Sequence, residues 1–248
     1  MSREVRVAVF RPDDDRLTEA VELLDSLGAT PVPDPMLEIE PTGAVPQGDA
    51  DYVVFTSKTG IELAADAGWE PDDTVLVSIG SGTTAAANAV GWTVDREPAT
   101  YSSAGLVDLL ADEVADSHVE VARSDHGSQV LLDGLADAGA TVTETVLYQL
   151  VRPADAGDST ALAADGDLEA VAFTSSLTVE HFLDAADERG VRDAAIDGLA
   201  DAVVGVIGEP TRETAETHGI SVDIVPAETT FEALATRVVE TAAPSYTE

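Results

Sequence analysis

The chain has no cysteine, which excludes disulfides, thiolate zinc sites and cysteine nucleophiles. Aromatic residues make up 4% of its 248 positions, so any core must be built mainly from small aliphatic side chains. Cations are scarce: 12 Lys and Arg stand against 48 Asp and Glu, for a net charge of −36, and Lys58 is the sole lysine. Without a basic stripe, no nucleic-acid partner is expected. No apolar run approaches the ~20 residues that span a bilayer. Met1-Ser2-Arg3-Glu4 leads straight into a strand pattern, without the apolar stretch of a signal peptide. A soluble, cytoplasmic protein with no membrane partner is expected.

What is present argues for a folded chain. The hydrophobic share is 44%, mostly Ala and Val, which is too high for charge-driven disorder. A small-residue core under an acidic skin suits concentrated salt, because the Debye length falls to about 3 Å at 1 M and self-repulsion is screened. The length allows one large domain or two of ordinary size.

One stretch occurs twice. Phe55-Thr56-Ser57-Lys58-Thr59-Gly60 and Phe173-Thr174-Ser175-Ser176-Leu177-Thr178 each follow a short apolar run and open an amphipathic segment. A buried strand thus ends in hydroxyls at a helix N-terminus, where free N–H groups and the helix dipole favour an anion. A single copy reads equally well as a helix cap, but two copies in equivalent settings point to a paired site. The repeat extends to Ile79-Gly80-Ser81-Gly82-Thr83 and Ile207-Gly208-Glu209-Pro210-Thr211, and upstream to Val7–Pro12 and Val119–Ser124. A period this long suits two similar lobes rather than a solenoid.

Periodicity predicts strands over 5–10, 51–55, 75–79, 92–94, 119–122, 142–151, 170–173, 202–207 and 221–225, with helices between most of them. The Pro-bounded segment 34–41 reads as a connecting strand, and Ala154 to Asp167 as a loop. Alternating βα units mean α/β, with parallel sheets covered on both faces and ligands at the carboxyl ends of the strands. Gly80-Ser81-Gly82 is too short for a dinucleotide fingerprint, and no phosphate-binding loop exists. His118, His126, His181 and His218 lack metal spacing, and the Asp13-Asp14-Asp15 run fits a solvated helix start. Ser57 and Ser175 lack a nucleophile elbow. Arg11, Lys58, Arg123 and Arg212 each fall just beyond a predicted strand's carboxyl end, although loops collect charges in any case.

These residues resemble the uroporphyrinogen-III synthase family over nearly the whole chain. The resemblance rests on Arg11-Pro12, on Asp51 to Ser57, on Gly80-x-x-Thr83, on Val146-Leu147-Tyr148, on Phe173-Thr174-Ser175 and on Ile207-Gly208-x-x-Thr211. Lys58 and Glu209-Pro210 depart from the usual pattern. The resemblance implies two flavodoxin-like α/β lobes joined by a two-stranded β linker, with a cleft between them. One lobe would comprise residues 1–35 with 152–248, and the other 36–151. It implies a lyase of tetrapyrrole biosynthesis, on the way to heme or cobalamin. The enzyme closes hydroxymethylbilane, a linear octacarboxylate, with loss of water and inversion of the last pyrrole through a spiro intermediate. No metal or organic cofactor is implied. The protein would be a monomer handed its substrate by hydroxymethylbilane synthase. Tyr148 matches the family's catalytic cleft tyrosine, Thr83 and Thr211 its loop hydroxyls, and Ser57 and Ser175 its helix-start contacts. Arg11, Thr56, Lys58, Ser81, Arg123, Thr174, Ser176 and Arg212 complete the candidate substrate-binding set. Two other classes fit a two-lobed acidic protein: a non-enzymatic binding or sensor module for a polycarboxylate or tetrapyrrole, and a nucleotide-sugar transferase, which the absence of a nucleotide loop disfavours.

Overall fold

In the computed structural model, which describes residues 5–243, Val7, Ala8 and Val9 of strand β1 (Arg6–Val9) are all fully buried. A strand that is apolar on both faces must be covered on both, which is the condition of a parallel sheet between helix layers. The chain divides into two compact units, Met1–Glu38 with Val151–Glu248, and Ile39–Leu150.

In the first unit, β1 lies between β2 (Thr30–Pro33) and β8 (Ala170–Phe173), and β9 (Val203–Val206) adds to the far side of β8. All three pairings are parallel. Alternate residues sort by face. Ala8, Phe10, Val171 and Phe173 pack with Phe182 in one layer, while Val7, Val9, Ala170 and Ala172 pack with Leu24, Leu234 and Val238 in the other. Phe10 stacks on Phe173 at 4.8 Å, a pair contributing about 0.5–1.5 kcal/mol beyond its buried area. Helices α1 (Asp15–Ser26), α7 (Ser176–Glu188), α9 (Glu209–Thr217) and α10 (Phe231–Ala242) belong to this unit.

The second unit holds a five-stranded sheet in the order β3 (Glu38–Pro41), β7 (Thr141–Val151), β6 (His118–Ser124), β4 (Tyr52–Phe55), β5 (Val75–Ser78). The β4–β5, β4–β6 and β6–β7 pairings are parallel, so their carboxyl ends share one edge. Helices α2 (Lys58–Asp66), α3 (Ser81–Ala89), α4 (Ser103–Leu110) and α5 (Gln129–Asp137) complete it.

Several sequence expectations need correction. The predicted loop over 154–167 contains helix α6 (Asp158–Ala164), and α8 (Arg192–Leu199) was not anticipated. The α6 N-cap, Gly157, has no side chain to cap with. Instead the buried Asp34 carboxylate accepts from Gly157 N at 2.7 Å and Ser159 N at 2.9 Å, as well as from the Ser159 hydroxyl. The segments 92–94 and 221–225 form no strands. The second run contributes one isolated bridge, Ile224 to Gly205, and the matching bridge to Val77 comes from Arg96, just past the first run.

Candidate active site

At the carboxyl end of β4 the chain turns through Thr56 into α2. Ser57 is the N-cap: its backbone is extended and its Oγ accepts from Gly60 N at 3.0 Å. The same Oγ accepts a second bond, from the Tyr148 phenol, also at 3.0 Å. Gly60 eases this approach, since a Cβ there would crowd Leu147 Cδ1 at 3.1 Å and Ser57 Oγ at 3.2 Å.

Tyr148 reaches Ser57 because β7 is irregular. Its register against β6 runs Arg123 to Val146, then Ser124 to Tyr148, skipping Leu147. That slip breaks the strand's alternation, and Leu147 and Tyr148 are both buried in succession. Such irregularities re-aim side chains and are over-represented beside active sites. Asp125, which follows β6, fastens the slipped segment. Its backbone N–H donates to Tyr148 O at 3.2 Å, and its carboxylate accepts from Leu150 N at 3.0 Å. Burial pushes the Asp125 carboxyl up, but the His126 hydrogen bond at 2.8 Å and the Leu150 N–H outweigh it and hold it below the usual carboxylate range.

At the end of β5, Gly80 caps α3 without any side-chain bond, Ser81 is exposed and Thr83 is buried. The Tyr101 ring lies so close over Gly80 that an added Cβ would stand 2.7 Å from its Cγ. The first unit repeats this arrangement. Gly208 caps α9 with no side-chain bond, Thr211 is buried, and Thr211 N donates to Gly208 O at 3.1 Å as Thr83 N does to Gly80 O at 3.0 Å. Ser175 caps α7, but here Thr178, at the position equivalent to Gly60, closes a capping box. Thr174 ties back to Phe10 O at 3.1 Å, and the Ser176 hydroxyl donates to Pro210 O at 3.1 Å. The hydroxyls of the first unit's copy are therefore largely engaged in holding its own turns.

The four candidate cations separate into two pairs. Arg123 does not stand beyond a strand end, because β6 runs to Ser124. Its guanidinium is buried, pairs with Glu144 at 2.6 Å and donates to Ser128 O at 2.6 Å. Buried and satisfied, it is an internal strut. Arg212 pairs along its own helix with Glu216 at 2.8 Å, and that hydrogen bond raises its pKa. Arg11 and Lys58 differ. Among the described residues every other arginine has a carboxylate partner, whereas Arg11 and Lys58 have none. Arg11 rests on the Phe231 ring at 4.8 Å. Burial, and then the neighbouring charge of Arg16, push its pKa below the ordinary arginine value. One carboxylate-free cation therefore stands beside a hydroxyl-bearing turn in each unit. No group of His, Asp and Glu among the described residues could hold a metal ion, and no described helix is long and apolar enough to cross a membrane. Asp125 and Phe231 escaped the sequence reading, which carried no signal for contacts that only the fold creates.

Two parallel α/β units whose strand ends carry hydroxyls and helix N-termini define the class of protein, and known proteins share it. A crystal structure of mutant uroporphyrinogen III synthase from Thermus thermophilus superposes with a TM-score of 0.67 at 16% identity, covering 96% of this chain and 98% of that one. Uroporphyrinogen-III synthetase from Helicobacter pylori gives a TM-score of 0.62 at 12% identity, covering 96% and 100%. At such identities the likeness is one of fold. In sequence, a protein of Methanothermobacter thermautotrophicus described as a candidate uroporphyrinogen-III synthase is 32% identical over 231 residues, 87% of this chain and 90% of that protein. The family model for uroporphyrinogen-III synthase HemD matches residues 18–236. The chain belongs to the uroporphyrinogen-III synthase family, a family of enzymes that act on a small tetrapyrrole.

Proposed function

We propose that this protein closes hydroxymethylbilane to uroporphyrinogen III. The observation that carries the reading beyond family membership is the pair of cations without carboxylate partners, Arg11 and Lys58, on a chain of net charge −36. An acidic protein that leaves two cations unpaired beside helix starts is arranged for an anionic ligand, and the bilane carries many carboxylates. The openings of α2, α3 and α7 support this, since none has an acidic residue in its first turn. Only α9 of the four helix starts has one, Glu209.

In the reaction a pyrrole nitrogen lone pair expels the terminal hydroxyl as water. The last pyrrole then attacks through its substituted carbon, and the spiro intermediate fragments and recloses. The protein's part is to hold a flexible chain in the folded geometry, a proximity effect, and to supply a proton to the departing hydroxyl. Each unit offers its own carboxylate-binding group, Arg11 in the first and Lys58 at the start of α2 in the second. Tyr148 is the proton source, Arg123 drops out because its buried guanidinium is occupied, and Arg212, solvent-accessible and paired only along its own helix, stays in the set. The same reading makes the protein a cytoplasmic monomer that receives its substrate from hydroxymethylbilane synthase and works in concentrated salt.

The test is to supply freshly made hydroxymethylbilane at high salt and separate the products. Type III isomer formed in proportion to enzyme is expected. Type I alone, with saturable binding of the bilane, would instead make the protein a binding module.

A further inference from the structure

We propose that the atom handing its proton to the departing hydroxyl is Ser57 Oγ, with Tyr148 acting through it. This rests on the reading of the protein as a bilane cyclase. A serine hydroxyl has one proton and two acceptor lone pairs. Both lone pairs of Ser57 are taken, by Gly60 N and by the Tyr148 phenol, each at 3.0 Å. What Ser57 has left is its own O–H, and among the described residues nothing accepts it. The phenol proton of Tyr148 is correspondingly committed to Ser57 and does not face a ligand.

Exposure agrees. Tyr148 is 7% exposed within the cluster of Phe55, Ile61 and Trp92, while Ser57 is half-buried. The second copy of the turn shows what a purely structural version looks like. Ser175 shares a reciprocal capping box with Thr178 and, among the described residues, receives no phenol. At the equivalent position α2 has Gly60, which has no side chain to close the box, and a Cβ there would lie 3.2 Å from Ser57 Oγ.

The step balances as a relay. The carbon–oxygen bond of the hydroxymethyl group breaks with the electron pair going to oxygen, and the pyrrole nitrogen supplies the pair that forms the azafulvene. Ser57 Oγ–H passes its proton to that oxygen, which leaves as water, and the Tyr148 proton moves to Ser57. The proton lost when the final ring regains aromaticity restores Tyr148.

Four variants, with a fifth in reserve, test the relay, read as type III isomer per enzyme across substrate concentrations so that kcat and KM are separated. Ser57→Gly removes the hydroxyl where glycine is a tolerated cap, and a fall in kcat of at least about tenfold with little change in KM is expected. Ser57→Thr, which restores both cap and hydroxyl, should return kcat to near wild type. Tyr148→Phe should fall comparably, and the double variant Ser57→Gly/Tyr148→Phe should be no slower than the slower single, because groups acting as a unit are non-additive. If Ser57→Gly melts early, Ser57→Asp keeps the cap acceptor without bringing a hydroxyl, and the same loss of kcat is expected. Full turnover in Ser57→Gly with loss in Tyr148→Phe would show that Tyr148 donates directly and overturn the relay alone. Loss in Ser57→Gly with full turnover in Tyr148→Phe would also overturn it, leaving Ser57 without a relay partner. Absence of type III product from the wild type would instead defeat the underlying assignment of function.

Discussion

Tyr148 and Ser57, 91 positions apart in sequence, share a hydrogen bond of 3.0 Å in which the phenol donates to the oxygen that caps α2. One serine thus starts a helix and receives a side chain from the strand two places along the sheet. The helix start and the phenol cannot move independently.

Tyr148→Phe keeps the ring in its cluster and deletes only the donor. A loss of type III turnover of at least about tenfold is expected, with the melting temperature nearly unchanged. Since the bilane closes spontaneously to the type I isomer, isomers must be separated. Unchanged type III turnover would make Tyr148 a brace.

Lys58→Ala should raise KM without lowering stability. Lys58 occupies the first turn of α2, where a cation opposes the helix dipole at a cost of about 0.3–1 kcal/mol, and no carboxylate offsets it. Removing it should leave the melting temperature equal or higher. A KM unaffected at every salt concentration would remove Lys58 from the site.

Gly60→Ala separates stability from activity. Alanine favours a helix interior by about 1 kcal/mol over glycine, yet its Cβ would crowd Leu147 and the Ser57 hydroxyl. Stability within about 1 kcal/mol of wild type is expected, with reduced type III turnover as Ser57 is pushed off Tyr148. Full activity would show that the local packing can yield.

Asp125→Ala should loosen the slipped segment of β7 and lower both turnover and stability at neutral pH. The folded carboxyl lies below its ordinary value, so its contribution is complete above the unfolded pKa and is lost as pH falls through the folded one. The gap in melting temperature between wild type and variant should therefore narrow on acidification through the carboxylate range. A gap that stays constant would show that the charge of the Asp125 carboxylate contributes nothing to the effect.

The parallel α/β architecture was legible because β4, β5, β8 and β9 are short apolar runs ended by hydroxyls or glycine, one such pair in each half. What was illegible depended on distant partners. Helix α6 is a seven-residue, alanine-rich segment whose cap arrives from Asp34, so nothing local announces it. Arg123 was placed outside its strand because β6 continues through polar residues to Ser124, where apolar patterning gives no signal. The slip at Leu147 is equally silent. Val142 to Val151 reads as one unbroken strand, and only the packing of Leu147 and Tyr148 on Phe55 reveals the extra residue. Residue type suggested which hydroxyls and cations to consider, but pairing decided which cations remain free.

The discontinuity of the first unit sets a schedule for synthesis. β1 pairs with β2 soon after both emerge, but its other neighbour, β8, lies beyond the whole of Ile39–Leu150. While that stretch is translated, β1 presents an unpaired apolar edge, and Asp34 waits for the helix it will cap. The continuous second unit can finish first, since domains fold as units during synthesis. The nascent chain therefore carries a completed C-terminal neighbour and an open N-terminal strand at once, and a pause between Leu150 and Phe173 would prolong the interval in which that edge can pair wrongly.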